Sequence, residues 1–100
     1  MLPQNIQNLI KDLIRSTENN AISWDFDYVN AVAKCSVNGF SVALEHSYND
    51  IDEVRQFNIY INDLNGYNSR FSVSQKFYTY DSVKFLYDIA QANNISIPRF

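Results

Sequence analysis

One hundred residues, 46% of them apolar and 19% charged, describe one globular domain, long enough to bury a core without covalent staples. The formal charge of −3 disfavours non-specific binding to nucleic acid or to an anionic membrane, and a single cysteine, Cys35, excludes an intramolecular disulfide and points to a reducing, cytoplasmic setting. The N-terminus lacks the basic-then-apolar pattern of a signal peptide, and no run reaches the roughly 18 apolar residues of a membrane span. Thirteen asparagines suggest the AT-rich coding sequence of a microbe or a phage.

In chain order, Ile6, Leu9, Ile10, Leu13 and Ile14 recur at i, i+3, i+4, i+7 and i+8, which predicts an amphipathic helix over residues 4–18. Pro3 suits the first turn, and Asn19-Asn20 suits the stop, because asparagine tolerates the left-handed conformation at a helix end. Ile22, Trp24, Phe26 and Tyr28 then alternate with Ser23, Asp25 and Asp27, the pattern of a half-buried strand.

Two Asn-Gly pairs set the hairpins. Closing one at Asn38-Gly39 pairs Val37 with Phe40, Cys35 with Val42 and Ala33 with Leu44 on an apolar face. Ser36 with Ser41, Lys34 with Ala43 and Val32 with Glu45 fall on the other. Residues 47–53 read as an acidic loop. Phe57, Ile59 and Ile61 alternate with Asn58, Tyr60 and Asn62 in the next strand. At Asn65-Gly66 a two-residue loop would mix the faces. A three-residue loop, Asn65-Gly66-Tyr67, keeps them apart and predicts Phe71 opposite Ile61 and Val73 opposite Ile59.

The last helix is expected over residues 81–93, with Asp81 as N-cap and Tyr80 and Phe85 as a hydrophobic staple. Val83, Leu86, Tyr87 and Ala90 make its buried stripe, widened by Ile89, and Asn93-Asn94 ends it. Residues 95–100 are expected to dock along the sheet as a tail. The fold expected is therefore α+β: a two-layer domain, residues 1–100, with an antiparallel meander of four to five strands and both terminal helices on one face.

The chemistry-bearing residues are few. His46, the only histidine, excludes multi-histidine metal sites and reads as a structural residue at a strand end. Cys35 falls on the buried face, where thiols are inert. The run Asn49-Asp50-Ile51-Asp52-Glu53 lacks the twelve-position spacing and the glycine of an EF-hand, and reads as a solvated loop. Both glycines sit in turns, so no phosphate-cradling loop is available, and no serine lies in a nucleophile elbow. No catalytic residue, cofactor or metal is expected.

Charge is uneven, with seven acids against two bases between Asp25 and Asp63. Exposed tyrosines beside small polar residues suit protein recognition. The function expected is that of a non-enzymatic binding protein or inhibitor. Glu45, Asp50, Asp52, Glu53, Tyr60, Asn62 and Asp63 are its candidate contact residues toward a basic protein surface, one that itself binds nucleic acid being attractive. In size, charge and composition the chain is similar to the small acidic inhibitors of bacteria and phages, toxin-immunity proteins and anti-CRISPRs. The alternatives are a module that self-associates through a strand edge, as a homodimer, and a small metal-dependent enzyme built on the acidic loop.

Overall fold

The computed structural model describes residues 2–37, 39–63 and 65–94, with side chains as far as residue 92. Helix α1 (Gln4–Glu18) is followed by strands β1 (Asp25–Asp27), β2 (Val32–Val37), β3 (Phe40–Asn49), β4 (Val54–Asp63) and β5 (Asn68–Ser74), and by helix α2 (Thr79–Asn94). The strands form one antiparallel sheet in the order β1-β2-β3-β4-β5, so each pairs with its neighbour in the chain.

The period-two pattern decides which side is buried. Phe26, Ala33, Cys35, Val42, Leu44, Phe57, Ile59 and Val73 share the inner face and join one core with Ile6, Ile10 and Leu13 of α1 and Val83, Leu86 and Ala90 of α2. Both helices thus cover the same side of the sheet, and they meet each other across it. Among the described residues no helix is long and apolar enough to cross a membrane.

Several expectations hold in detail. All six pairs of the β2–β3 hairpin follow the register set by Asn38-Gly39, and Gly39 takes the positive φ that such a turn requires. Asn19 ends α1 and Asn20 is left-handed, at φ 58°. Pro3, expected in the first turn, instead lies one residue outside the helix, at the N-cap position, where its carbonyl accepts the N–H groups of Ile6 and Gln7.

Four expectations are corrected. The strand expected from Ile22 to Tyr28 shrinks to Asp25–Asp27, and Ser23 lies outside the sheet. At its upstream end the indole N–H of Trp24 donates to Thr17 Oγ1 (2.9 Å), which draws the ring into the core beside α1. At its downstream end Asp27 Oδ1 accepts the backbone N–H groups of Val29 and Asn30, which turns the chain. That turn finishes at Ala31, held at φ 55°.

The β4–β5 register differs by two residues. Ile59 faces Phe71 and Phe57 faces Val73. The reversal lies between Asp63 and Tyr67, one residue earlier than expected, because Asp63 Oδ1 accepts the N–H groups of both Asn65 and Tyr67. A slip of two preserves which face each side chain takes, so the core is unaffected.

The loop expected over 47–53 is a short turn over 50–53, since β3 and β4 pair as far as Asn49 and Val54. Finally, α2 starts at Thr79, so Asp81 lies within its first turn rather than at the cap. Phe85 is 46% exposed and no staple forms, because the buried stripe runs through Tyr80, Val83, Tyr87 and Ala90 and leaves position 85 outside it. The tail expected over residues 95–100 lies outside the described residues.

Candidate functional site on the open sheet face

With both helices on one side, no other described element covers the opposite side of the sheet. Its outward positions on β3, β4 and β5 carry a connected set of polar side chains. Asn58 stands at the centre of it. It is buried to 3% exposure although it points away from the core, with hydrogen-bonding neighbours on three strands around it.

Every polar atom of that side chain is engaged. Nδ2 donates to Glu45 Oε1 (2.8 Å) and to Ser47 Oγ (3.3 Å). Oδ1 accepts from Ser72 Oγ (2.7 Å) and from Gln56 Nε2 (3.1 Å). The Tyr60 hydroxyl donates to the same Glu45 oxygen (3.1 Å), and the Arg70 guanidinium lies 5.7 Å from the Tyr60 ring centroid. Partial burial, followed by the hydrogen bond to the Glu45 carboxylate, holds the Tyr60 phenol above its ordinary range. One carboxylate is thereby fixed in place by two donors, one of them the phenol whose ring the Arg70 cation approaches.

The seven candidate residues separate into three groups. Glu45 and Tyr60 belong to this network. Asn62, two residues along β4, shares the open face and borders a shallow hollow with Ser36, Ser41 and Asp63. The Asp63 carboxylate is committed to the β4–β5 turn.

Asp50, Asp52 and Glu53 lie at the opposite end of β4 from Asp63, roughly 33 Å along the strand at ~3.3 Å per residue. Their turn is organised by Asn49. Its Oδ1 accepts the N–H groups of Ile51 and Asp52, and its Nδ2 donates to Asp52 Oδ2 (3.3 Å). Glu53 sits at φ 52°, an uncommon conformation for a side chain of its size, and exposed Ile51 tops the turn. The Glu45 network and this turn are joined along the hairpin through Ser47 and Gln56, so those two groups form one continuous surface, while Asp63 lies apart from it.

Sequence reasoning overlooked Asn58, Ser47, Gln56, Ser72 and Arg70 as site residues. Their signal was the pairing itself: once Val32 faces Glu45, the next strand must bring an outward residue to Glu45, and that residue is Asn58.

Cys35 is buried and desolvation pushes its thiol up to about 11, which leaves it protonated. Among the described residues no three His, Cys, Asp or Glu side chains are grouped so as to hold a metal ion. Compared with protein-family models, with curated proteins and with solved structures, the chain matches none.

Proposed function

We propose that the protein is a non-enzymatic binding protein that acts as an inhibitor of a protein partner through its open sheet face and the adjoining acidic turn. The observation that carries this reading is the Glu45 carboxylate, held by Asn58 and Tyr60 on an uncovered face that leads into Asp50, Asp52 and Glu53. Contact groups fixed before binding lose little freedom on association. The partner that fits is one with a basic surface, and a nucleic-acid-binding protein offers such a surface in its own binding channel. A small acidic inhibitor of the toxin-immunity or anti-defence type works in this way.

The test starts from a pull-down out of the native host with partner identification by mass spectrometry. Binding of the purified partner is then measured at low and high salt for the parent protein and for the triple change Asp50→Asn, Asp52→Asn, Glu53→Gln. Slower association and a flatter salt dependence are expected. Unchanged affinity and unchanged salt dependence would exclude the acidic turn, and Tyr60→Ala then tests the sheet face alone.

A second reading is favoured by β5, whose outer edge has no neighbouring strand among the described residues. Pairing of that edge with a second copy would make a homodimer. Light scattering decides between a monomer and a dimer, and Ser72→Pro on the edge would dissociate a dimer formed there.

A further inference from the structure

On the helix side of the sheet, at the lip between α2 and the β3–β4 hairpin, lies a cleft of about 200 Å³. Its floor is Phe57, 1% exposed. Three rings stand around that floor, with centroids 4.9 Å (His46), 5.3 Å (Tyr80) and 5.0 Å (Tyr87) from it. The rim carries Arg55 from β4 and Lys84 and Asp88 from α2. This site is separate from the open face, because Arg55, Phe57 and His46 occupy inward positions of their strands.

Half of the polar side chains of the cleft are uncommitted. The Tyr87 hydroxyl donates to the Ala31 carbonyl (3.1 Å) and Lys84 pairs with Asp88 (2.8 Å). Among the described residues the His46 imidazole and the Tyr80 hydroxyl make no hydrogen bond, and the Arg55 guanidinium makes no ion pair. Asp88 offsets one of the two cations, so the rim keeps one positive charge in a chain of net charge −3.

Burial and then the nearby Arg55 and Lys84 charges, against Asp88, hold the imidazole below its ordinary range. It is neutral at pH 7 and offers one donor and one acceptor. The rings would suit an organic cation, but Arg55 and Lys84 oppose one. They suit a planar ring that carries a negative charge, since guanidinium and carboxylate meet as a two-bond pair. Size narrows the class further, because a cavity of about 150 Å³ accommodates benzene. The space takes one ring and its carboxylate, not a nucleotide.

We propose that this cleft is a binding site for a small aromatic carboxylate, its ring beside His46 and Tyr80 above the buried Phe57 floor and its carboxylate on Arg55. His46 is the only histidine in the chain, so its imidazole NMR signals report on the site without assignment of the rest. The experiment titrates the protein with benzoate, with benzamide and benzamidine as the neutral and cationic counterparts, and with inorganic phosphate. Benzoate is expected to shift the imidazole signals saturably and to raise the pH at which they titrate. Benzamide should bind at least about tenfold more weakly, the worth of one charge-assisted contact. Arg55→Gln, a change at an exposed side chain, should weaken benzoate to the level of benzamide and leave benzamide unchanged.

The proposal is overturned if benzoate gives no saturable shift at tens of millimolar, or if benzamidine or phosphate binds as tightly as benzoate. It is equally overturned if folded Arg55→Gln binds benzoate like the parent. Circular dichroism of each variant confirms the fold.

Discussion

Asn58→Ala removes the centre of the open-face network, and its cost can be worked from the bonds that go. The bond to the Glu45 carboxylate, at 2.8 Å, is to a charged acceptor and is worth about 1.5–3 kcal/mol. The Ser72 bond, at 2.7 Å, adds about 1 kcal/mol as a neutral pair. The bonds to Ser47 and Gln56 are longer and weaker. Against this, Glu45, Ser47, Gln56 and Ser72 all keep some exposure, so water replaces part of what is lost. The balance is a loss of about 2–3 kcal/mol, a large fraction of the roughly 5–15 kcal/mol that holds a typical domain folded. Urea unfolding at pH 7, with an unchanged slope, measures it. A cycle with Glu45→Ala should give a coupling of about 1–2 kcal/mol, since the two side chains share a bond. A loss below about 1 kcal/mol, or additivity within ~0.3 kcal/mol, would show that the network is a surface pattern with no energetic centre.

Three further outcomes are expected. Phe57→Ala should cost about 3–5 kcal/mol and Phe71→Ala about half of that, because Phe57 is enclosed while Phe71 is partly exposed on the edge strand; equal costs would refute this placement of the core. Cys35, its thiol pushed up to about 11 and buried, should resist a thiol reagent at pH 8 until urea unfolds the chain, and rapid labelling of the folded protein would contradict that. His46 has a folded pKa below its unfolded one, so the unfolded chain binds the extra proton. Stability should therefore be complete above about pH 6.5 and fall as pH drops toward the folded pKa. His46→Gln should flatten that fall, and parallel curves for parent and variant would refute the assignment.

What could be read in the sequence depended on how locally each feature is determined. The β2–β3 register was legible because an Asn-Gly turn fixes its geometry within two residues, and alternation extends it. The β4–β5 partners were misjudged by two residues because Asn65-Gly66 sits inside a longer loop, whose closing point is chosen by the Asp63 side chain. The faces survived that error because the period is two. The β1 strand was overextended because alternation runs from Ile22 to Tyr28, while Trp24 is drawn to Thr17 of α1 at one end and at the other the Asp27 carboxylate acts on N–H groups two and three residues ahead. The candidate site was half legible. Parity put Glu45, Tyr60 and Asn62 on one face, but charge grouping along the chain added Asp63, which pairing places at the far end of the strand. The burial of Asn58 and the company of His46 depend on residues brought in from other strands and from α2, and no pattern along one segment contains them.

The order of strands in the sheet has a consequence for how the chain is made. Each strand meets its partner as soon as the next few residues follow it, so pairing can proceed in step with synthesis from the N-terminal end. The part of the inner face's cover that α2 supplies cannot. Val42, Leu44, Phe57 and Ile59 are shielded in part by Val83, Leu86 and Ala90, which are among the last described residues to be made. A chain made as far as β5 therefore carries a paired apolar sheet that only α1 can cover, and a ribosome that stalls between β5 and α2 leaves a product suited to chaperones and proteases. Helix α2, which closes against both the sheet and the first helix, is what converts that product into a finished domain.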